Sequence, residues 1–513
     1  MQTNFAIVTL ADMLPLLTTA QIREADVYTI AHEPIASIDL MERASKAFVA
    51  WFIDHFPEKD KTISVFCGTG NNGGDGLAIA SMLHEHQYNR IEVVVARFSD
   101  RSTEDFNTNL ARVKEMGLPL AEISSGQQLA PIESELLIVA LLGTGLNKPL
   151  EGDFKRLVEH INSQHKTVVA VDVPAGLFSD GEMPKNAVVL KTDLVITFQQ
   201  PKINFLLPES GPYIKCWEAV NIGLNEDFIR SLNSPYQAVE EKDIRQMLRP
   251  RHRFSNKGTY GHALIVAGQP ETMGAALLCA SACVYGGSGL TTACVPQSGL
   301  LSLNAYMPEV MAIVREGERL PEINYGNFNA LAIGPGLGQD KQAVKLLTGA
   351  VVNYRGPIVF DADALNLLAA NYELWRSVPE NSILTPHMKE FDRLFGDHEN
   401  WWQRIQTGIQ KAKEHSIFIL LKNDYTIIMT PAGDVYFNTT SNAAMAVGGM
   451  GDVLTGIVAS LLAQKYTPEQ ACILGAYLHG KAGDDLALPN RLNVVLPSQV
   501  AAQIPATIAK LMA

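Results

Sequence analysis

Cysteine is scarce in this chain of 513 residues: six are spread along it. None stands in a C-x-x-C pair, which excludes a disulfide-built scaffold and a thiolate-rich metal site and fits a reducing cytoplasm. Cys279 and Cys283 lie four apart in an Ala-rich apolar run and read as small buried residues. A surplus of positive charge is also missing. The formal net charge is −13, so a nucleic-acid backbone is not an expected partner. No basic residue precedes Arg23, so no charged region introduces an apolar leader. The uncharged stretch 272–308 is broken by "GGSG" and "VPQSG" well short of a bilayer span, and reads as a buried helix, loop and strand. No short repeat and no low-complexity tract appears. What is present is ample apolar material, 47% of residues against 19% charged, enough for large cores in a soluble protein of several domains.

"TTAQIREADVYTIAHEPIASIDLMERASKAFVAWFIDHF" carries apolar residues at three- and four-residue steps, which predicts two helices with Thr18 or Thr19 as the first N-cap. Apolar strands follow: "KTISVFCG", "IEVVVARF", "LLIVALLG", "TVVAVDVPAG" and "DLVITF". Strands without a polar face, alternating with helices, predict a parallel sheet covered on both sides. A second alternating series starts near residue 241 and runs through "HALIVAG", "GLTTACVP", "ALAIGPGLG", "PIVFDADAL", "SILTPH", "IFILLKN", "YTIIMTP" and "GDVYFNT". The expected organisation is two α/β domains, 1–225 and 241–513, with 226–240 as a linker.

"CGTGNNGGDGLAIA" contains a literal G-x-G-x-x-G at Gly68, Gly70 and Gly73. A dinucleotide fingerprint also needs an acid at the end of the second strand. Ala96 and Arg97 stand there, and Glu92 is at the wrong end, which disfavours a hydride-transferring dehydrogenase. Gly73, Gly74 and Gly76 at a helix N-terminus still suit a phosphate, the plain alternative being a structural turn. "LLGTGLNKPLEG" and "VDVPAG" should reach the same sheet edge. Asp172 there is either a salt-bridge partner or a general acid/base group.

In the second half, "AVGGMGDVLTG" puts Gly448, Gly449 and Gly451 before an apolar helix, with Asp452 at its start. Exposed amides beside an acid are what phosphoryl transfer to a hydroxyl requires. The alternative is a simple N-cap aspartate. His387 of "TPH" reads either as a ligand contact or as a strand-end hydrogen-bonding histidine. Asp361 and Asp363 of "DAD" read as acids that hold a Mg²⁺ through water or contact substrate hydroxyls, or as structural acids.

"GNNGGDG", "LLGTGL", "VDVPAG", "TFQQPKINFLLPESG" and the earlier "LMERA" together resemble the YjeF N-terminal domain, the NAD(P)HX epimerase family, over nearly all of 15–225. That resemblance implies a Rossmann-like three-layer α/β/α sandwich. It puts the phosphate-binding turn on Asn71, Asn72, Gly73, Gly74 and Asp75. A second ligand loop falls on Gly143, Thr144, Gly145, Leu146, Asn147, Lys148 and Pro149, and a ligand-contacting acid on Asp172. It also implies a potassium ion near Asn72, although Val139 and Ala175 stand where the family has Asp and Ser. Epimerisation at C6 of a hydrated nicotinamide needs an acid/base group. Asp172 is the candidate, with Lys202 as electrostatic helper.

"NKGTYGHALIVAGQPETMGAALLCASACVYGGSGLTTA", "AIGPGLG", "VFDADALNLL", "LTPHMKEF" and "AYLHGKAGDDLA" resemble the YjeF C-terminal domain, the ADP-dependent NAD(P)HX dehydratase, over about 245–500. The implied fold is ribokinase-like α/β. Substrate contacts fall on Ala275, Gly336, His387 and Asp452. Nucleotide contacts fall on Lys422, Asn423, Asp424, Tyr425, Thr426 and Gly451. The implied function is bifunctional repair, interconverting the epimers of NADHX and NADPHX and dehydrating one with ADP, or with ATP, and Mg²⁺. Expected partners are these small molecules and further copies of the chain, with no nucleic acid and no membrane, in the cytoplasm. The alternative is a vitamin-precursor type of small-molecule kinase with a non-catalytic N-terminal binding module.

Overall fold

Most strands between Ile63 and Phe198 are apolar on both faces, so each face must be covered. The computed structural model, which describes residues 13–316 and 321–513, covers them with helices. A two-residue strand, β1 (Leu14–Pro15), comes first in the chain and is placed below. The first unit, Pro15–Ser234, carries β2 (Ile63–Cys67), β3 (Ile91–Arg97), β4 (Leu120–Ser124), β5 (Leu136–Ala140), β6 (Thr167–Val171), β7 (Leu194–Phe198) and β8 (Trp217–Val220). They form one sheet in the order β4-β3-β2-β5-β6-β7-β8, every pair parallel.

Side chains alternate across the strands. Val65, Val93, Ile138 and Val169 pack with Phe48, Phe52, Leu77 and Leu83 of the helices on one face. Phe66, Val94, Leu137 and Val168 pack with Leu157, Val158 and Ile161 on the other. This is the expected three-layer sandwich. The two predicted N-terminal helices are α1 (Thr19–His32) and α2 (Ser37–His55), and Thr18 caps α1 in a capping box with Gln21. Strand β4 had not been anticipated, because "LAEIS" is half polar and buries no residue fully.

The second unit takes Pro235–Glu399 and Gln403–Ala513. Its strands are β9 (Tyr236–Val239), β10 (His262–Val266), β11 (Leu290–Pro296), β12 (Met311–Arg315), β13 (Ala330–Ile333), β14 (Ile358–Phe360), β15 (Ile383–Leu384), β16 (Phe418–Leu421), β17 (Ile427–Met429) and β18 (Val435–Asn438). The sheet order is β1-β9-β18-β17-β16-β15-β14-β13-β10-β11-β12, with only the β16–β17 and β17–β18 pairs antiparallel among those recorded.

The uncharged stretch forms the buried helix Met273–Tyr285 and strand β11, as expected, with Cys279 and Cys283 fully buried and free. That helix packs against Met450–Ala463. A Cβ at Gly456 would lie 2.1 Å from the Cys279 carbonyl, so only glycine permits the approach. Among the described residues no helix is long and apolar enough to cross a membrane.

The expected linker 226–240 is corrected. Glu226–Ser231 is a helix capped by Asn225, and its Ile229 joins Leu17, Ala25, Leu40, Ala44 and Leu224 in a core of the first unit. Tyr236–Val239 is a strand paired with β18. One buried residue in a six-residue helix leaves too little periodicity to read.

Candidate active sites

In the first sheet the strand order reverses between β2 and β5. Parallel α/β sheets bind ligands outside the C-terminal strand ends at such a point. A cavity of about 640 Å³ opens there. It is lined by Gly70, Asn71, Asn72 and Asp75 after β2, and by Leu141–Gly145 after β5. Asp172 after β6 and Phe198–Lys202 after β7 complete this side. Residues Ile22, Arg23, Asp26, Val27 and Ile30 of α1 and Leu40, Met41 and Ala44 of α2 also line it.

Gly73 and Gly74, expected at the ligand, do not line the cavity. They seat the helix Asn71–Glu85 (α3) on its surroundings: a Cβ at Gly73 would stand 1.9 Å from the Gly68 carbonyl, and one at Gly74 would meet the Met41 sulfur at 2.8 Å. Of the second loop, Gly143, Thr144 and Gly145 line the cavity, whereas Leu146, Asn147, Lys148 and Pro149 do not. Leu146 packs into the apolar cluster with Leu141 and Leu150 instead. Arg97, at the end of β3, is engaged with Glu122 at 2.9 Å.

Asp172 is an ion-pair partner, as one of its two readings has it, and it lines the cavity. Its Oδ1 accepts from the Thr197 hydroxyl at 3.1 Å and the Phe198 amide at 3.0 Å, and meets the Lys202 ammonium at 2.8 Å. Asp172 takes a left-handed backbone, φ 64°, which strains an L-residue and recurs where function demands it. Lys202 is 3% exposed and also donates to the Phe198 and Gln200 carbonyls. Asp75 is pushed well above the usual carboxylate range by burial, with Asp172, Asp26 and Asp105 adding to it.

The potassium expectation has one observation in its favour. The Asn72 amide donates to the Val171 carbonyl at 2.9 Å and leaves its buried Oδ1 without a partner. Val139 and Ala175 are buried in apolar surroundings and offer no oxygen from their side chains. One neutral amide oxygen does not make a side-chain cage for a cation.

In the second sheet the reversal falls between β10 and β13; Ala275 and Gly336 follow those two strands, His387 follows β15 and Lys422 follows β16. Thr272 ties two of them together. Its hydroxyl donates to the Gly336 carbonyl at 2.6 Å and its own carbonyl accepts from the Ala275 amide at 3.2 Å. Asp363 accepts from the Gly338 amide at 2.8 Å and the Gln339 side chain at 3.2 Å.

Asp361, 1% exposed, meets Lys422 at 2.8 Å and accepts from the Thr455 hydroxyl at 2.8 Å. Burial works to raise its carboxyl, but Lys422 and Thr455 outweigh burial and hold it below the usual range. With their oxygens committed to these donors, Asp361 and Asp363 do not fit a directly coordinated Mg²⁺. No cluster of three or more His, Cys, Asp or Glu suited to a metal exists among the described residues.

A cavity of about 620 Å³ holds His387, Lys422, Asn423, Asp424, Thr426 and Gly451, all predicted, together with His479. Tyr425, Ala275, Gly336 and Asp452 do not line it, although Met450, Gly451 and Leu454 beside Asp452 do. Tyr425 instead donates its amide to Asn423 Oδ1 at 2.8 Å. His387 caps the helix Met388–Phe395, its Nδ1 accepting from the Lys389 and Glu390 amides at 3.1 and 3.3 Å, which leaves Nε2 as its donor. Two buried atoms in this cavity lack partners, Asn423 Nδ2 and His479 Nε2. Burial lowers the His479 imidazole to about 4, so the ring is neutral at pH 7. Sequence reasoning missed His479, although it stands in the quoted "AYLHGKAGDD".

Asp452 is not an N-cap. Gly449 holds that place on Met450–Ala463 with φ 101°, a left-handed conformation that favours glycine. Burial pushes the Asp452 carboxyl up to about 7, Asp361 and Asp363 adding to it and Lys422 opposing. A carboxyl so raised, beside a helix start and a lysine, is chemically able to exchange a proton near neutral pH.

Comparison with known proteins narrows that chemistry. A family model described as NAD(P)H-hydrate dehydratase matches residues 263–506, and one described as the YjeF-related protein N-terminus matches 37–204. The bifunctional NAD(P)H-hydrate repair enzyme of Moorella thermoacetica is 34% identical over 92% of both chains. The enzyme of the same name from Escherichia coli is 31% identical over 88% of this chain and 85% of its own. The ADP/ATP-dependent NAD(P)H-hydrate dehydratase of Bacillus subtilis, co-crystallised with ATP and Mg²⁺, is 30% identical, with a TM-score of 0.46 over 53% of this chain and 97% of its own. The chain belongs to the family of bifunctional NAD(P)H-hydrate repair enzymes: a Rossmann-like α/β/α unit is joined to a ribokinase-like α/β unit. Similarity across both units disfavours a kinase carrying a non-catalytic module.

Proposed function

We infer that the first unit interconverts the C6 epimers of NADHX and NADPHX, and that the second dehydrates the S epimer with ADP, or with ATP, as phosphoryl donor. The observation that carries the reading is Asp452, a carboxyl raised to about 7 next to Lys422 and the glycine-led start of Met450–Ala463. Near neutral pH such a group takes a hydroxyl proton efficiently.

In this reading Asp452 takes the proton of the C6 hydroxyl as its oxygen attacks the terminal phosphorus of ADP, and AMP leaves. The ring nitrogen then expels phosphate from C6, and loss of a C5 proton restores the dihydronicotinamide. Lys422 stands where it balances developing phosphate charge. Asn423 Nδ2 and His479 Nε2, buried and unpartnered, are the groups a bound nucleotide would satisfy. Mg²⁺ belongs to the nucleotide phosphates as counter-ion, and no step is assigned to it. In the first unit Asp172 moves the proton at the C6 oxygen, with Lys202 holding it in place. The same reading takes the enzyme as cytoplasmic and homo-oligomeric.

The test is incubation of mixed NADHX epimers with ADP or ATP, following the dihydronicotinamide absorbance. Full recovery is expected, accompanied by AMP and phosphate when ADP is the donor. No recovery with either nucleotide overturns the reading.

A further inference from the structure

The cavity of the first unit contains a carboxyl that the epimerase reading leaves unused. Asp26 lies on α1 four residues after Ile22 and four before Ile30, and all three line the cavity. An acid in the middle of an apolar helical stripe is unfavourable unless a partner compensates it. Among the described residues none donates a hydrogen bond to Asp26, and the cation that faces it is already committed. Lys202 gives its protons to Asp172 Oδ1, Phe198 O and Gln200 O. The charged groups facing Asp26 from the packed elements are Asp172 and Lys202 at the strand ends and Asp75 on α3, with Arg23 on its own helix also lining the cavity. Burial, with Asp172 adding and Lys202 opposing, pushes Asp26 up to about 6. Asp172, by contrast, accepts three donors on one oxygen. Two carboxyls in one cavity, one held by three donors and the other lined by apolar neighbours on its helix, are suited to opposite roles.

Epimerisation breaks a C6–O bond on one face of the ring and forms one on the other. Asp172 enters the cavity from the sheet edge and Asp26 from a helix outside the strand–helix alternation. We propose that Asp26 is the second acid–base group of the epimerisation, serving the face of C6 opposite to Asp172; the proposal rests on the epimerase reading of this unit. For one epimer, the Asp26 carboxylic acid protonates the departing hydroxyl while the N1 lone pair forms the C6=N1 iminium, and one water leaves. A second water adds to C6 from the other face. Its proton passes to the Asp172 carboxylate and the iminium electron pair returns to N1. Cavity water carries the proton back from Asp172 to Asp26. The other epimer runs the same steps in reverse.

The experiment uses the full chain and a single NADHX epimer in ¹⁸O-water without ADP. Wild type should invert C6 with one ¹⁸O gained per inversion, and kcat/KM should fall as pH rises above about 6, where Asp26 loses its proton. Asp26→Asn should lower inversion by about 100-fold or more and lose that pH limb. Asp26→Glu should restore part of the rate and the limb. ADP-dependent dehydration of the S epimer should stay unchanged in both variants, which reports that the chain has folded. Inversion by Asp26→Asn at the wild-type rate, or with the wild-type pH limb, overturns the proposal alone. A wild type that does not invert C6 overturns the epimerase reading and the proposal with it.

Discussion

Asp452→Asn should make the protein inactive as a dehydratase and more stable, and the gain should depend on pH. The Asp452 carboxyl goes from 3.8 in a free side chain to about 7 in the folded chain, so the native state binds a proton that the unfolded state has released between these limits. A folded-state value raised in this way leaves stability undiminished below the unfolded value, about 4, and removes it progressively as pH rises through about 7. At about 1.4 kcal/mol for each pH unit, the charge penalises the native state by up to about 4 kcal/mol at pH 8. The partly open site reduces that to about 2–4 kcal/mol, because water screens some of the field.

Asparagine occupies the same volume and does not titrate. The variant and the wild type should therefore unfold alike at about pH 3, below the unfolded value, and the variant should gain about 2 °C or more for each kcal/mol at pH 8. Paired thermal melts at the two pH values measure this. Wild-type dehydration should rise with pH through about 7, as the base ionises, and the variant should lose about 100-fold or more in rate. Equal stability gains at both pH values would refute the electrostatic argument. ADP-dependent recovery at the wild-type rate would remove Asp452 from its role.

Asp361→Asn strips the partner from Lys422 at 2.8 Å and leaves an ammonium facing a buried amide, so unfolding free energy should fall by about 3–5 kcal/mol in a denaturant titration. Gly73→Ala places a Cβ 1.9 Å from the Gly68 carbonyl and must push α3 off the end of β2; a loss of about 1–3 kcal/mol is expected, with epimerisation reduced and ADP-dependent dehydration retained. Exchange of K⁺ for Na⁺ at constant ionic strength should leave epimerisation within about two-fold, since Asn72 Oδ1 has no oxygen-bearing side chain beside it at Val139 or Ala175. A large loss in Na⁺ would show that backbone carbonyls complete a cation site there.

The two sheets were legible because their central strands are apolar on both faces, and a short continuous apolar run between turn residues needs no neighbour to be recognised. Strands with little buried surface were not. β4 buries no residue fully, and the β12 segment "MAIVR" is mostly half-exposed. The glycine turns were legible as turns, but their roles divided. Gly449 is a left-handed cap, whereas Gly73 and Gly74 are contact glycines whose reason is a carbonyl and a sulfur brought up from elsewhere in the chain.

The sequence by itself determined the alternation of strand and helix, the loops that would meet at each sheet edge, and the acids Asp172 and Asp452, because these follow from local periodicity and from residue types fixed next to strand ends. Tertiary structure alone decided which acids matter together and in what state of charge. Asp26 sits more than 140 positions from Asp172, and Asp361 meets Lys422 and Thr455 from separate elements. A carboxyl's proton affinity is set by burial and by the charges folded against it, and neither is written in its sequence neighbours.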